Sequence, residues 1–361
     1  MVPAPCSPTA PVPPPAYQRA LAKHSPALHL DALILVRTLH LPALCRLAVD
    51  LAGRAWPPSL PRGRGGAPRV YTDATLVLIA LLRTLWRLSL QDMHDWLVSW
   101  PALALACGLP VDALGRPQVP SPATMSKRAV RLGAPAYEAL FVQVVRQAIR
   151  ARLIGARDLI LDSAPLKAWR RTDPDARLGH APAHHPTAFL QGFRLHTLIC
   201  RGSGLPIAFR LAPANGHDAP FAQPLLALAV HLYGLRIRVV RLDAAYWGIA
   251  LITWIPTTLH ATAVIPWNPK RTKDRSGLPP TWTRAELGKR TSIERFFGRI
   301  LLFFRLQRPP LVGWTALTQQ VALTYTASII VGLAAQQAGR PDLIRSPKRV
   351  LAHAWEGLLV S

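Results

Sequence analysis

The sequence predicts an α/β protein in which a mixed five-stranded sheet with flanking helices follows a mostly helical N-terminal region. Two patterns carry this prediction. From Leu28 to about Leu153 apolar residues recur at helical spacing, and from about residue 156 the chain contains short runs rich in apolar and β-branched residues. Half of the 361 residues are apolar, so the chain can bury a sizeable core, which excludes wholesale disorder.

The N-terminal region is divided into blocks. Two stretches rich in apolar residues, Asp73 to Leu85 and Ser89 to Trp100, are predicted to be helices. Segments rich in proline and glycine, Pro57 to Arg69 and Gly108 to Pro120, separate the helical blocks. Residues 1–25 contain seven prolines and almost no periodic apolar signal, so they are predicted to form a flexible leader.

A third helix, from Ser121 to Gly133, is predicted to have one apolar and one basic face. Ser121 can cap its N-terminus, Pro122 suits the first helical position, and Gly133 can end it. Three apolar residues share one face and three basic residues lie outside it: Met125, Ala129 and Leu132, and Lys127, Arg128 and Arg131. A helix that contacts DNA has this character, and so does an ordinary packing helix with a solvated basic face.

Five short runs after residue 156 are predicted to be strands. They are Asp158–Asp162, Phe193–Cys200, Leu205–Leu211, Ile237–Asp243 and Ala261–Ile265. The turn Arg201 to Gly204 joins the second and third runs into a hairpin, and the helical run Pro220 to Gly234 precedes the fourth. Three antiparallel strands followed by alternating helices and strands give the element order of the ribonuclease H-like fold.

The charge of the chain indicates a polyanionic partner. It has 43 Lys and Arg residues against 18 Asp and Glu, a formal net charge of +25. Between Ile265 and Pro309 eleven basic residues accompany three acids: Lys270, Arg271, Lys273, Arg275, Arg284, Lys289, Arg290, Arg295, Arg299, Arg305 and Arg308. These residues are predicted to follow a phosphate backbone, although a solvated basic surface would have the same composition.

Membrane and secretory classes are disfavoured. The longest apolar runs, Thr75 to Leu82 and Val321 to Ala335, are shorter than the roughly 18 residues of a membrane span and are predicted to be buried helices. The N-terminus has no basic region followed by an apolar core. The four cysteines show no CxxC spacing, which argues against a disulfide framework and a thiolate zinc site, so a cytosolic compartment is the default.

Acids are few, so their positions are informative. Asp162 ends the first predicted strand and Asp243 ends the fourth, and these two strands are neighbours in a ribonuclease H-like sheet. Glu294 lies in a predicted helix, one turn after Arg290. Converging carboxylates repel each other unless they share cations, and three oxygen donors without Cys or organised His favour Mg²⁺ or Mn²⁺ over Zn²⁺.

Four motifs in order resemble the DDE transposases of bacterial insertion sequences, in particular groups four and five. They are LILDSAPLKAW, GFRLHTLICRGSGLPIAFRLAPANGHD, RLDAAYWG and KRTSIERFFGRI. The resemblance, which covers about residues 70–335, implies that Asp162, Asp243 and Glu294 are the catalytic, metal-binding acids. It also implies that Arg290 belongs to the family's Tyr-Arg-Glu-Lys signature. The sequence departs from that signature at Leu287 and Leu301, and Arg299 and Arg305 are candidates for the missing charge.

The resemblance implies a transposase that binds the terminal inverted repeats of its element, cuts with two Mg²⁺ or Mn²⁺ ions and joins the ends to target DNA. A homodimer on DNA, at the nucleoid of a bacterial cytoplasm, is the expected form. The predicted DNA contacts are Lys289, Arg290, Arg295, Arg299, Lys127, Arg128 and Arg131. A domesticated or inactive DNA-binding derivative, or a nuclease that hydrolyses without joining, are the alternatives.

Each predicted function is assigned to a predicted domain. After the leader, residues 26–150 are predicted to be a helical DNA-binding domain, residues 151–340 the catalytic domain and residues 341–361 a C-terminal tail. Two further motifs keep two interpretations each. Tyr246 and Trp247 either pack in the core or stack on an unpaired base, and Asp218 in the NGHD motif either caps a helix or acts near the DNA.

Overall fold

The computed structural model describes residues 70–155, 157–181, 187–268 and 284–351. The predicted leader, most of the basic loop at 268–280 and the end of the C-terminal tail lie outside these residues. The described residues form two compact units: those up to residue 131 together with those from residue 330 onward, and those from residue 132 to residue 329.

The first unit is helical where it is described. Its helices are α1 (Asp73–Trp86), α2 (Leu90–Ser99), α3 (Pro101–Ala106) and the beginning of α4 (Pro122–Arg150). Ser89 caps α2 in a capping box with Asp92. In α4 the Ser121 hydroxyl accepts a hydrogen bond from the Thr124 amide at 3.2 Å, and the helix is broken at Gly133, where φ is 70°. The predicted start and end of the basic helix are thus confirmed, although a second helical segment follows directly.

The second unit is built on a mixed sheet of six strands in the described part of the chain. Their bounds are β1 (Asp158–Lys167), β2 (Arg177–His180), β3 (Phe189–Cys200), β4 (Pro206–Pro213), β5 (Val239–Arg241) and β6 (Thr262–Val264). Strands β4, β3 and β1 pair antiparallel, and β5 and β6 continue the sheet from β1 in parallel. This order, β4-β3-β1-β5-β6, confirms the predicted ribonuclease H-like arrangement. The additional strand β2 pairs with the first residues of β3.

The first strand is longer than predicted, and Asp162 lies within it rather than at its end. Ser163 and Pro165 break the apolar run, but both residues keep antiparallel pairing with β3. On the other edge β5 is only three residues long and pairs with β1 no further than Ile160. Asp162 is therefore two residues beyond the last parallel pair, at the point where the β5 side of the sheet ends.

Five α-helices, with short helical turns, follow or flank these strands in the described residues. They are α5 (Ala219–Tyr233), α6 (Ile249–Leu259), α7 (Arg284–Gly288), α8 (Thr291–Gly298), continued by a π-helical turn (Arg299–Phe303), α9 (Trp314–Gln337) and a 3₁₀ turn (Pro341–Leu343) that closes the first unit. By length and composition α9 could cross a membrane, but its most apolar window is 89% buried, as the sequence predicted for this run.

An aromatic cluster around Tyr325 forms part of the core of the second unit. Its ring packs against Phe141, Phe209 and Phe296, with centroids 5.4 to 5.9 Å apart. The Tyr325 hydroxyl is buried and hydrogen-bonds the Thr197 hydroxyl of β3 at 2.6 Å. This pair ties α9 to the sheet that carries Asp162.

Replacing Tyr325 with Phe is expected to lower the free energy of unfolding by about 1 to 2 kcal/mol, because it leaves the buried Thr197 hydroxyl without its partner. Urea unfolding measures this. The double variant Tyr325→Phe, Thr197→Val removes both polar groups and is expected to recover most of the loss. Equal losses in the single and double variants would contradict the role given to this bond.

Candidate active site

Two predicted site carboxylates, Asp162 and Asp243, lie on either side of one arginine. Asp162 Oδ1 accepts a hydrogen bond from the Ser163 amide at 2.8 Å, and Asp243 Oδ1 accepts one from the Ala244 amide at 2.6 Å. The Arg290 Nη1 atom is 3.3 Å from Asp162 Oδ2 and 3.4 Å from Asp243 Oδ1. A single guanidinium nitrogen therefore bridges the two acids.

Local structure explains the positions of Asp243 and Arg290. Asp243 follows β5 in extended conformation and begins the 3₁₀ turn Ala244–Tyr246. Arg290 lies between α7 and α8, and buried Ile293 and Phe296 fix α8 to the core.

A second ion-pair network holds α7 at the sheet. Arg241 of β5 is 3% exposed and pairs with Glu286 of α7 at 2.6 Å and with Asp158 of β1 at 3.0 Å. These bonds fix the helix that precedes Arg290.

Burial sets the charge of Asp162. It raises the pKa of this carboxyl to about 6, with smaller contributions in the same direction from Asp243 and Asp218. Arg290 and the Ser163 amide oppose the shift because they stabilise the ionised form. Asp243 is more accessible, with 42% of its side chain exposed. The site thus combines a carboxyl that titrates near neutrality with a solvated neighbour.

Glu294 is placed differently. It is exposed on α8, one helical turn after Arg290, and so on the same side of the helix. The described ranges contain no group of three or more His, Cys, Asp or Glu side chains arranged to hold a metal ion. The oxygen donors of Asp162 and Asp243 fit a hard divalent cation in kind, but Arg290 lies between them and Glu294 does not complete the set. The three-acid metal site stays a prediction.

The predicted DNA-contacting residues near the site differ in their exposure and in their hydrogen-bond or ion-pair partners. Arg295 is exposed on α8, and Lys289 is 44% exposed and pairs with Glu286 at 2.5 Å. Arg299 donates a hydrogen bond to the Gly204 carbonyl at 3.0 Å, in the turn between β3 and β4. Arg290, expected to contact DNA, is engaged with the two aspartates.

On the basic helix of the first unit, Lys127 and Arg131 are exposed. Arg128 departs from the expectation. Its guanidinium forms an ion pair with Asp73 at the start of α1 and donates a hydrogen bond to the Tyr71 carbonyl at 3.3 Å. Only 17% of its side chain is exposed, so Arg128 links two helices of this unit.

Sequence reasoning missed a polar network next to Asp162. Asp218 makes no side-chain cap for α5. Its carboxylate instead accepts hydrogen bonds from the Ser163 hydroxyl at 3.0 Å and from Arg194 Nη1 at 3.1 and 3.2 Å. His196 Nδ1 lies 3.7 Å from Asp218 and hydrogen-bonds the Tyr246 hydroxyl at 3.1 Å. Arg194 and His196 alternate with apolar residues in one strand, and this pattern was the available signal.

The network connects the residues next to both aspartates. Ser163 follows Asp162 and hydrogen-bonds Asp218, while Tyr246 belongs to the turn that Asp243 begins and hydrogen-bonds His196. Burial lowers the pKa of His196 to about 4, so this histidine is neutral at physiological pH. Tyr246 and Trp247 are 0% and 4% exposed; they pack in the core and present no face to a base.

Replacing Asp218 with Asn is expected to shift the acidic limb of the pH–rate profile for the reaction predicted at this site to lower pH. The Asp218 charge raises the pKa of Asp162, and its removal leaves the Arg194 charge uncompensated nearby, which acts in the same direction. The rate is measured from pH 5 to 8 beside Glu138→Gln, a variant at a carboxyl that faces Arg210 instead. An unshifted limb in Asp218→Asn would contradict this coupling.

The chain matches one family model and is similar to two solved structures. Residues 154–330 match the family model described as "Transposase DDE domain". Among solved structures, the chain is similar to the piggyBac transposase synaptic complex with hairpin DNA, with 10% identity, TM-score 0.45 and coverage of 91% of this chain and 80% of that chain. It is also similar to the Mos1 strand transfer complex, with 13% identity, TM-score 0.28 and coverage of 83% and 80%. No curated protein matches.

The described sheet has the strand order of a ribonuclease H-like fold, and Asp162 and Asp243 lie where β1 leaves β5. Residues 154–330 of the chain carry a transposase DDE domain.

Proposed function

We propose that the chain is an insertion-sequence transposase that binds the terminal inverted repeats of its own element, cuts the DNA at the element ends and joins these ends to target DNA. One observation carries the proposal: within the matched domain, Asp162 and Asp243 converge on one guanidinium nitrogen at 3.3 and 3.4 Å. Two carboxylates that face the same cation can also face the divalent ions that compensate the charge of a phosphodiester.

The chain's own residues have separable roles in this proposal. Asp162 Oδ2 and Asp243 Oδ1 are the oxygens that would hold Mg²⁺ or Mn²⁺, with Glu294 as the third ligand, and Arg290 would leave them. Two bound divalent ions supply the activation of an attacking oxygen and the stabilisation of the leaving 3′ oxygen. Arg290 contacts the aspartates through Nη1 alone, so its remaining donors are available to a phosphate.

The second half of the reaction needs no protein nucleophile. After cleavage the freed 3′ hydroxyl of the element end attacks a target phosphodiester: a new P–O bond forms, the target 3′ oxygen leaves and the number of phosphodiesters is unchanged. Exposed Lys127, Arg131 and Arg295 are suited to hold the flanking backbone. We further propose that a homodimer holds two ends together and that it acts at the nucleoid in a bacterial cytoplasm.

The test follows the products formed on a labelled duplex that carries the DNA flanking the reading frame, with a supercoiled plasmid as target. In Mg²⁺ the wild-type chain is expected to bind the end, cleave it and produce joined molecules. In EDTA it is expected to bind the end without cleaving or joining it. Cleaved ends without joined products would favour the nuclease, and binding without cleavage would favour the inactive derivative. Either result would overturn the proposed reaction.

The salt dependence of DNA binding gives a matched comparison on the basic helix. Lys127→Ala is expected to reduce the slope of log K against log salt by about one, because one phosphate contact is lost. Arg128→Gln is expected to keep the slope and to lower stability, since Arg128 pairs with Asp73. Binding of the terminal duplex from 50 to 200 mM salt measures the slopes. The opposite assignment of the two effects would refute the placement of these residues.

A further inference from the structure

A second basic site lies in the catalytic unit, away from the two aspartates. A cavity of about 700 Å³ opens where β1 ends and β3 begins, and Trp169, Phe189 and Arg308 contribute to its walls. We infer that it binds an unpaired stretch of DNA, with a base stacked on the aromatic side chains and the phosphates held by the basic ones. The inference rests on the proposed function and adds a substrate contact that neither the motifs nor the family assignment supplies.

Charge is the first argument. Four cationic side chains line the cavity, Lys167, Arg170, Arg171 and Arg308, and no acid is among its lining residues. All four are exposed. In a domain whose acids are few, four cations around one concave surface form a site for a polyanion, and Arg in particular suits phosphate oxygens.

Exposed aromatic rings are the second argument. Trp169 is 42% exposed and Phe189 is 51% exposed, and they are the two aromatic residues among the exposed large hydrophobic side chains of the described chain. The Arg308 guanidinium lies 5.0 Å from the centroid of the Trp169 ring, and Arg308 Nη2 donates a hydrogen bond to the Trp169 carbonyl at 3.1 Å. This pair fixes the indole beside a positive charge. Base stacking on aromatic rings between cations is a recurrent way to bind single-stranded nucleic acid.

The walls are held by hydrogen bonds, so the site is formed in advance. The Ala168 amide donates to the Gln191 carbonyl at 3.0 Å, and Gln191 Nε2 donates to the Arg171 carbonyl at 2.8 Å. The Lys167 amide donates to the Gln307 carbonyl at 2.9 Å, which attaches the segment carrying Arg308. A preformed surface loses little entropy when a ligand binds.

The same features favour unpaired DNA over a duplex. In a duplex the faces of the bases are covered by their neighbours, so an exposed indole gains stacking only from a base outside the helix. The cavity volume falls within the range of sites for small ligands, which suits one or two nucleotides.

The test measures the affinity of the full chain for a fluorescent ten-nucleotide single strand and for the same sequence as a duplex, by anisotropy in EDTA. Trp169→Ala is expected to weaken single-strand binding about tenfold and to change duplex binding less than about twofold. Trp169→Tyr, which keeps an aromatic face, is expected to restore most of the affinity. Leu302→Ala, at another apolar side chain that is 68% exposed, is the control.

The remaining outcomes are decisive as well. Unchanged single-strand affinity in Trp169→Ala, or the same loss on single strand and duplex, would overturn the inference. A free deoxynucleotide that displaces the fluorescent single strand as well as the unlabelled oligonucleotide does would also overturn the inference. That result would assign the cavity to a small ligand. Because binding is measured without metal, a chain that cannot cleave ends but shows the Trp169 effect would disprove only the proposed function.

Discussion

Asp243→Asn is expected to reduce the rate of DNA cleavage about a thousandfold or more. Asp243 shares a guanidinium nitrogen with Asp162 at 3.3 to 3.4 Å, and the Asn side chain keeps its size while losing the charge. A divalent ion contributes several kcal/mol to the stabilisation of the transition state, and about 4 kcal/mol corresponds to a thousandfold in rate. The rate is measured on the terminal duplex in a single turnover with Mg²⁺.

A loss of folded protein is not expected to cause this reduction in the cleavage rate. The Asp243 side chain is 42% exposed, so the exchange to Asn is expected to leave the unfolding transition close to that of wild type. Asp342→Asn is the matched control, since Asp342 is 50% exposed and pairs with Arg340 in the other unit. Cleavage by Asp243→Asn at the rate of this control would refute the placement of the site.

Asp162→Asn is expected to stabilise the chain, increasingly as the pH rises from about 4 to 6. The pKa of Asp162 is about 6 in the folded state against an ordinary value of 3.8, so in this window the folded state binds the extra proton. Stability is therefore lost as the pH rises through the window, and Asn removes this loss. The gain is at most about 3 kcal/mol at pH 7, at 1.36 kcal/mol for each pKa unit.

Urea unfolding of wild type and Asp162→Asn between pH 4 and 8 measures this difference. The control again is Asp342→Asn. Arg340 holds the pKa of Asp342 below its usual value, so that carboxylate stabilises above the unfolded pKa and its replacement is expected to destabilise at neutral pH. If the difference in the free energy of unfolding between Asp162→Asn and wild type does not change with pH, the raised pKa of Asp162 would be contradicted.

The sheet was predictable because its strands are bounded by local signals. Apolar runs that end at turns gave all five main strands in the right order. The exceptions have physical reasons. Ser163 and Pro165 ended the predicted first strand, but pairing with β3 carries β1 on to Lys167. Strand β2, with the residues RLGH, has no apolar alternation of its own and depends on the edge of β3 for its pairing.

The approach of Asp162 to Asp243 was predictable, but the partners of the cations were not. Asp162 and Asp243 come together because their strands are adjacent, a consequence of strand order. The partners of Arg290 and Arg128 are more than 40 residues away in sequence, so a local pattern could not distinguish a DNA contact from an ion pair with Asp162 or Asp73. Asp218 likewise has the position of a helix cap, whereas its hydrogen bonds go to Ser163 and Arg194.

The most direct measurement is strand transfer of the element end into a plasmid in Mg²⁺ by four proteins: wild type, Asp162→Asn, Asp243→Asn and Glu294→Gln. Joined products from wild type, and none above background from the three variants, are the expected result, with Asp342→Asn as active as wild type. Equal joining by all four proteins would contradict the assignment of these acids to the reaction.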